Sequence, residues 1–185
     1  MTSVLESPAI DAVVAEAKAY LRAEGTHEDG LIGRLAGSAV ALCEAFVGQW
    51  LVVREGTEIV PAIGGWQRLQ AIPVSAITAV ETLAVDGSGI ALPMDDYEID
   101  IDAAGAGWVR IGSSSETARA RVKFVAGKAT EWGDLPEPLR QGVLRLVAHF
   151  YSHRSDEIGT GPPAAVTALW RPWRRIVVGQ GVRHA

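Results

Sequence analysis

The hydrophobic period of this chain changes twice, and this limits the available folds more than any single motif does. Up to Trp50 apolar residues recur every three or four positions, from about Leu51 to Gly127 they tend to alternate, and after Pro136 the helical spacing returns. A sheet region set between helical segments, rather than alternating with them, points to an α+β fold.

The first helix is expected over 8–24, where Ile10, Val13, Val14, Ala17, Tyr20 and Leu21 share one face and Ser7 or Asp11 can cap the start. Gly25 ends it, and Thr26 with Asp29 three residues on reads as the cap of a second, longer helix over 27–49. Its stripe is Leu31, Leu35, Ala39, Leu42, Phe46 and Trp50, and so short a link predicts that the two helices pack as a hairpin. The β-region spans 51–127. Within it, Ile77 to Val85 and Ile90 to Leu92 form a hairpin about the turn Asp86-Gly87-Ser88-Gly89. Tyr97, Ile99 and Ile101 alternate with Glu98, Asp100 and Asp102, which predicts a strand with the first set buried and the second wet. Trp108 to Ile111 and the strand containing Val122 and Phe124 complete the region. A third helix over 137–154 starts with Pro138 in its first turn and buries Leu139, Val143, Leu146, Val147, Phe150 and Tyr151. The stretch Gly159 to Pro163 is a linker, a short helix covers 163–170, and Pro172 stops it.

At 185 residues, 48% hydrophobic and 21% charged, the chain can bury a real core. No run approaches the roughly 20 apolar residues that span a bilayer, and the N-terminus lacks a secretory pattern, so synthesis in a cytoplasm and no membrane partner are expected. Cys43 is the single cysteine and is expected to be a buried structural thiol. The formal charge of −5 is unevenly spread: 13 basic and 22 acidic residues lie up to Glu157, whereas Arg171, Arg174, Arg175 and Arg183 follow with no acidic residue among them. An acidic body is a poor nucleic-acid binder, since affinity for phosphate comes from clustered Lys and Arg.

Patterns that carry catalysis are broken. Gly127-Lys128 resembles the end of a phosphate loop, but Val122 stands in place of its first glycine and Ala129 in place of the magnesium-binding Ser or Thr. Gly159 to Gly161 runs into two prolines, which lack the N–H groups of a phosphate cradle. His149 and His153 are four apart, but no Glu follows His149 and no third ligand is evident, so the pair predicts no metal site. Asp95 and Asp96 fit a turn and Glu98, Asp100 and Asp102 a wet strand face, rather than a calcium loop. No Ser or Cys sits in a nucleophile elbow. The expectation is no enzyme, no catalytic residue, no cofactor and no metal.

The landmarks occur in a definite order: Ala17-Lys18-Ala19-Tyr20-Leu21-Arg22, Glu28-Asp29-Gly30-Leu31-Ile32, Glu44-Ala45-Phe46-Val47-Gly48, Ile72-Pro73-Val74 and Val122 to Gly127. Leu135 to Gly142, Ala148 to Arg154, and Pro163, Val166, Leu169, Trp170, Pro172 and Arg174 follow. This order, over most of the chain, resembles the head-to-tail connector (adaptor) family of long-tailed phages and phage-like gene transfer agents. The resemblance implies a helical bundle, a long helical hairpin plus a C-terminal helix, with an inserted antiparallel β-region and an extended C-terminal tail. Residues 1–170 would be the connector domain and 171–185 the tail. It further implies a homo-oligomeric ring, expected as a dodecamer, on the portal protein. A tail-side connector, stopper or tail terminator protein would bind the other side, and DNA would pass through the channel without sequence-specific binding. Such a protein resides in the particle neck.

Trp170, Arg171, Trp173, Arg174 and Arg175 are residue types enriched at interface hot spots, and are expected to dock on the portal or to fold back on their own domain. Ile176, Val177 and Val178 either add a strand to a partner's sheet or form one within the domain. The acidic body suits the wall of a DNA conduit and is also common among cytoplasmic proteins. The competing functions are a nucleic-acid-binding module that uses the Trp- and Arg-rich tail, and a small enzyme or metal protein centred on His149 and His153.

Overall fold

The computed structural model describes residues 7–84, 86–112, 119–153 and 161–175. The chain is α+β, with four α-helices and two antiparallel sheets among these residues. It divides into two compact units, one helical and contributed by both halves of the chain, the other the β-region between them.

The helical unit contains α1 (Ser7–Leu21), α2 (Asp29–Val47), α3 (Glu137–Ser152) and α4 (Ala164–Trp170). Val13 and Ala17 of α1, Ile32, Ala36, Ala39, Val40, Cys43 and Val47 of α2, Leu139, Val143, Leu146 and Val147 of α3, and Val166 and Trp170 of α4 form one hydrophobic cluster. Polar ties cross it at the margins: Glu16 accepts the Trp132 indole N–H at 2.6 Å and pairs with Arg140 at 3.3 Å, and Lys18 binds Asp29. The Tyr151 hydroxyl donates to Glu28.

The buried face of α2 departs from the expected stripe. Of Leu31, Leu35, Ala39, Leu42, Phe46 and Trp50, only Ala39 and Trp50 are buried, and Leu42 is 40% exposed. The buried line is displaced by one position because α2 is apolar nearly all round. With two helical stripes available, the small side chains of Ala36 and Ala39 take the inside, where they allow close packing. Trp50 is not helical at all, since Gly48 (φ +69°) closes α2 by donating its N–H to the Glu44 carbonyl at 2.8 Å. Thr26 does not cap the helix with its side chain; Glu28 occupies the cap position, and its carboxylate does not bond to the helix's own first-turn N–H groups. By length and composition α2 could cross a membrane, which corrects the expectation that no segment could; its Ile32, Cys43 and Val47 are fully buried among the other helices.

Trp170 explains a glycine in the middle of α3. A Cβ on Gly142 would lie 2.0 Å from the Trp170 indole nitrogen, so only a glycine lets α4 seat its tryptophan against α3. Trp170 is fully buried, with its ring 5.8 Å from that of Phe46.

The β unit has strands β1 (Arg54–Pro61), β2 (Trp66–Arg68), β3 (Val74–Leu83), β4 (Gly89–Ala91), β5 (Tyr97–Ile101), β6 (Gly107–Ile111) and β7 (Arg119–Ala126). They form a four-stranded sheet in the order β1-β7-β3-β4 and a three-stranded sheet in the order β2-β6-β5. The β3–β4 hairpin is the one expected about Asp86 to Gly89, with Thr82 opposite Ile90. Its Val85, together with Arg154 and Gly159, lies outside the described residues. Alternation holds in β7, where Ala120, Val122, Phe124 and Ala126 are buried and Arg119, Arg121 and Lys123 face the other way.

Glu58 is the buried charged residue of this unit, and accepts the Gln70 N–H at 2.9 Å. Its burial pushes the carboxyl above the usual carboxylate range, against the opposing pull of hydrogen bonds from Gln70 and Ala71.

β5 contradicts the alternation expected of it. Ile99 and Ile101 remain 45% and 37% exposed, because β5 is the outer strand of the small sheet and, among the described residues, pairs with β6 alone. Asp102 is not part of a wet face either. It accepts the N–H groups of Ala104 and Ala106, both at 2.9 Å, and shapes the turn into β6, bonds that hold its carboxyl below the usual range.

Candidate functional site

The expected partner-binding residues begin inside the helical unit. Trp170 ends α4 as a core residue whose indole faces the Leu139 carbonyl at 3.4 Å, so within this chain it anchors the segment. After it a single 3-10 turn, Arg171–Trp173, redirects the chain toward the C-terminal end of α2. There the Gln49 amide donates to the Trp173 carbonyl at 2.9 Å and the Arg175 N–H donates to the Val47 carbonyl at 2.9 Å.

These two bonds occupy backbone and side-chain groups at a helix end, where carbonyls are left without helical partners. The Arg174 guanidinium lies 5.7 Å from the centre of the Phe46 ring, a cation–π distance, at the end of α2 that the helix dipole makes negative. Arg171 and Arg174 are exposed, whereas Trp173 and Arg175 are half-buried. The structure therefore brings Arg171, Trp173, Arg174 and Arg175 together at one end of the helical unit, folded back against it. Ile176, Val177 and Val178 lie outside the described residues.

Sequence reasoning missed Gln49 and Phe46 as the seat of this segment. Gln49 follows the capping glycine, and nothing in its spacing points to a residue more than a hundred positions away.

The other residues weighed for chemistry lie elsewhere in the two units. The Gly127 N–H donates to the Pro73 carbonyl at 2.9 Å, so that amide is committed to the fold. The His149 and His153 rings are 4.3 Å apart, and His153 Nδ1 lies 2.9 Å from the His149 carbonyl. Among the described residues no group of three or more His, Cys, Asp or Glu side chains is placed to hold a metal ion. Cys43 is fully buried, and burial raises its thiol pKa far above the ordinary value, which disfavours the reactive thiolate. Asp95, Asp96, Tyr97 and Glu98 line an open cleft of about 370 Å³ with Gly64, Arg110 and Gly112, and Arg110 pairs with Glu98 across it.

No protein-family model and no curated protein matches this chain. Solved structures do. A chain in the neck of a native gene transfer agent (GTA) particle computed with C12 symmetry is 25% identical, with a TM-score of 0.73 over 99% of this chain and 100% of that one. Over the matched length this chain shares the fold of a chain from a GTA neck. A chain in the neck of an empty GTA particle computed with C6 symmetry is 23% identical with the same TM-score of 0.73, again over 99% and 100% of the two chains. A chain in the virion of a native GTA particle is 26% identical, with a TM-score of 0.70 over 97% of each. The neck likeness thus includes both units, and with them the segment at the end of α2.

Proposed function

We propose that this protein is a head-to-tail connector of a phage-like particle, a structural component of the neck rather than an enzyme. The observation that carries this reading is the likeness over 99% of the chain to chains from GTA necks. A match that extends across both units, with almost nothing left over on either side, is the relation expected between versions of one structural part. The symmetry of those necks supports a homo-oligomeric ring, and C12 symmetry agrees with a dodecamer.

In this reading residues 1–170 form the connector domain, a helical-hairpin bundle carrying the β unit, and residues 171–185 engage the portal. The described geometry supports a division of labour within that segment. Trp170, Trp173 and the Arg175 N–H fix its base to α2, while Arg171 and Arg174 stay exposed at the place where the chain continues toward Ile176, Val177 and Val178. The acidic body suits the wall of a channel through which DNA must move, because attraction to phosphate would retard it. A tail-side connector, stopper or terminator protein completes the neck on the other side.

The test is electron microscopy of the protein mixed with portal-bearing, tailless heads of the same particle. A ring added coaxially to the portal is expected. A folded protein that attaches nowhere on these heads, yet binds DNA in a salt-dependent way, would replace this reading with that of a nucleic-acid-binding module.

A further inference from the structure

The β unit carries two surfaces that a monomer does not explain. Six of the eight large apolar side chains left exposed among the described residues belong to it: Ile59, Ile63, Ile90, Met94, Ile99 and Ile101. One surface is the outer strand β5 with the turn before it. Its free edge has no strand partner among the described residues, and Met94, Ile99 and Ile101 lie exposed amid Asp95, Asp96 and Glu98. The other is the outward face of the β1–β7 pair, where Arg119, Arg121 and Lys123 stand in a row and exposed Ile59 lies directly opposite Arg121. Glu81 is the acidic partner of both Arg121 and Lys123, so the row keeps an excess of positive charge.

We propose that these two surfaces are the two halves of one contact between copies of this chain. The β5 edge and its acidic turn on one copy seat on the Ile59, Arg119, Arg121 and Lys123 face of the next. The inference rests on the neck reading, which calls for a ring. A closed ring with one copy per step requires a head-to-tail contact between two different surfaces, whereas a two-fold contact sets each surface against itself. Like surfaces would here oppose acid to acid and base to base, and would repel one another. Opposite surfaces match in charge and also match isoleucine with isoleucine. The same arrangement manages a hazard: an exposed apolar edge strand invites indiscriminate pairing, and flanking charges restrict it to a surface of opposite sign.

Two double variants test this, each at exposed positions outside the ion pairs described above. Asp95→Lys with Asp96→Lys makes the β5 surface basic, and Ile59→Glu with Arg119→Glu turns the facing surface acidic. Mixed with portal-bearing heads, each variant alone is expected to give about tenfold fewer ringed portals than the unaltered protein. An equimolar mixture restores rings, because the two variants alternate around the ring with every contact complementary. A misfolded variant cannot be rescued in this way, and circular dichroism of each variant checks its fold directly. Rings from either variant alone at the unaltered level, or no rescue in the mixture, overturn the proposed contact while leaving the neck reading in place. Failure of the unaltered protein to form rings on the portal overturns the neck reading and this contact with it.

Discussion

At the scale of single residues, Glu58 and Gly142 each hold a position that simple preference would refuse. A carboxylate 5% exposed is costly unless bonded, and Glu58 is bonded to the N–H of Gln70. Glu58→Ala should leave that donor without its partner and lower the unfolding free energy by about 1–3 kcal/mol in urea titrations. The pH dependence has a definite sign. The folded-state pKa is raised by burial, so the contribution of Glu58 is fullest below the ordinary carboxylate pKa and is lost as pH rises through the raised value. Glu58→Gln, which keeps an acceptor without the charge, should therefore gain stability relative to the natural protein over the range that rises from the ordinary carboxylate pKa to the raised one. A constant difference across that range would show that Glu58 does not titrate in this way. Gly142→Ala is the second case. Alanine favours an isolated helix over glycine by about 1 kcal/mol, yet the added methyl would sit 2.0 Å from the Trp170 nitrogen. Thermal unfolding should show a net loss of about 1–3 kcal/mol, the range for an overpacked core. A gain in stability would mean that α4 does not seat Trp170 there.

At the scale of elements, the rotated face of α2 can be measured. Ile32→Ala should cost about 2–4 kcal/mol, as deletions in a closed core do, whereas Leu42→Ala should cost under about 1 kcal/mol. Equal losses would restore the stripe that periodicity alone suggests. The joint between α2 and the C-terminal segment is a second element with a direct readout. Gln49→Ala removes the bond to the Trp173 carbonyl, worth about 1 kcal/mol, and should speed trypsin cleavage after Arg174 and Arg175 about fivefold without changing the melting of the helices. Unchanged cleavage would show that the Gln49 bond does not hold the segment in place.

At the scale of the whole molecule, the core and the proposed docking segment can be separated by truncation. Removal of residues 176–185 leaves Trp170, Trp173 and the Arg175 bond in place, so the helical unit should stay folded by circular dichroism while portal attachment is lost. Retained attachment would move the docking surface into the body of the protein. The α+β class, the helix–sheet–helix order, the β3–β4 hairpin and the alternation of β7 were legible from the chain itself, because hydrophobic period and turn chemistry act over a few neighbouring residues. The order of landmarks also resembled that of a connector, a resemblance distributed over most of the chain and not lodged in any motif. Three matters were settled by tertiary packing. Which stripe of α2 goes inside depends on the helices beside it, since the chain offers two. Ile99 and Ile101 stay exposed because β5 ended on the outside of its sheet, and strand order is not written in alternation. Trp170 is a core anchor because Gly142, 28 positions earlier, leaves room for its ring. Local patterns select elements, but burial is a property of neighbours, and neighbours are assigned only when the chain closes on itself.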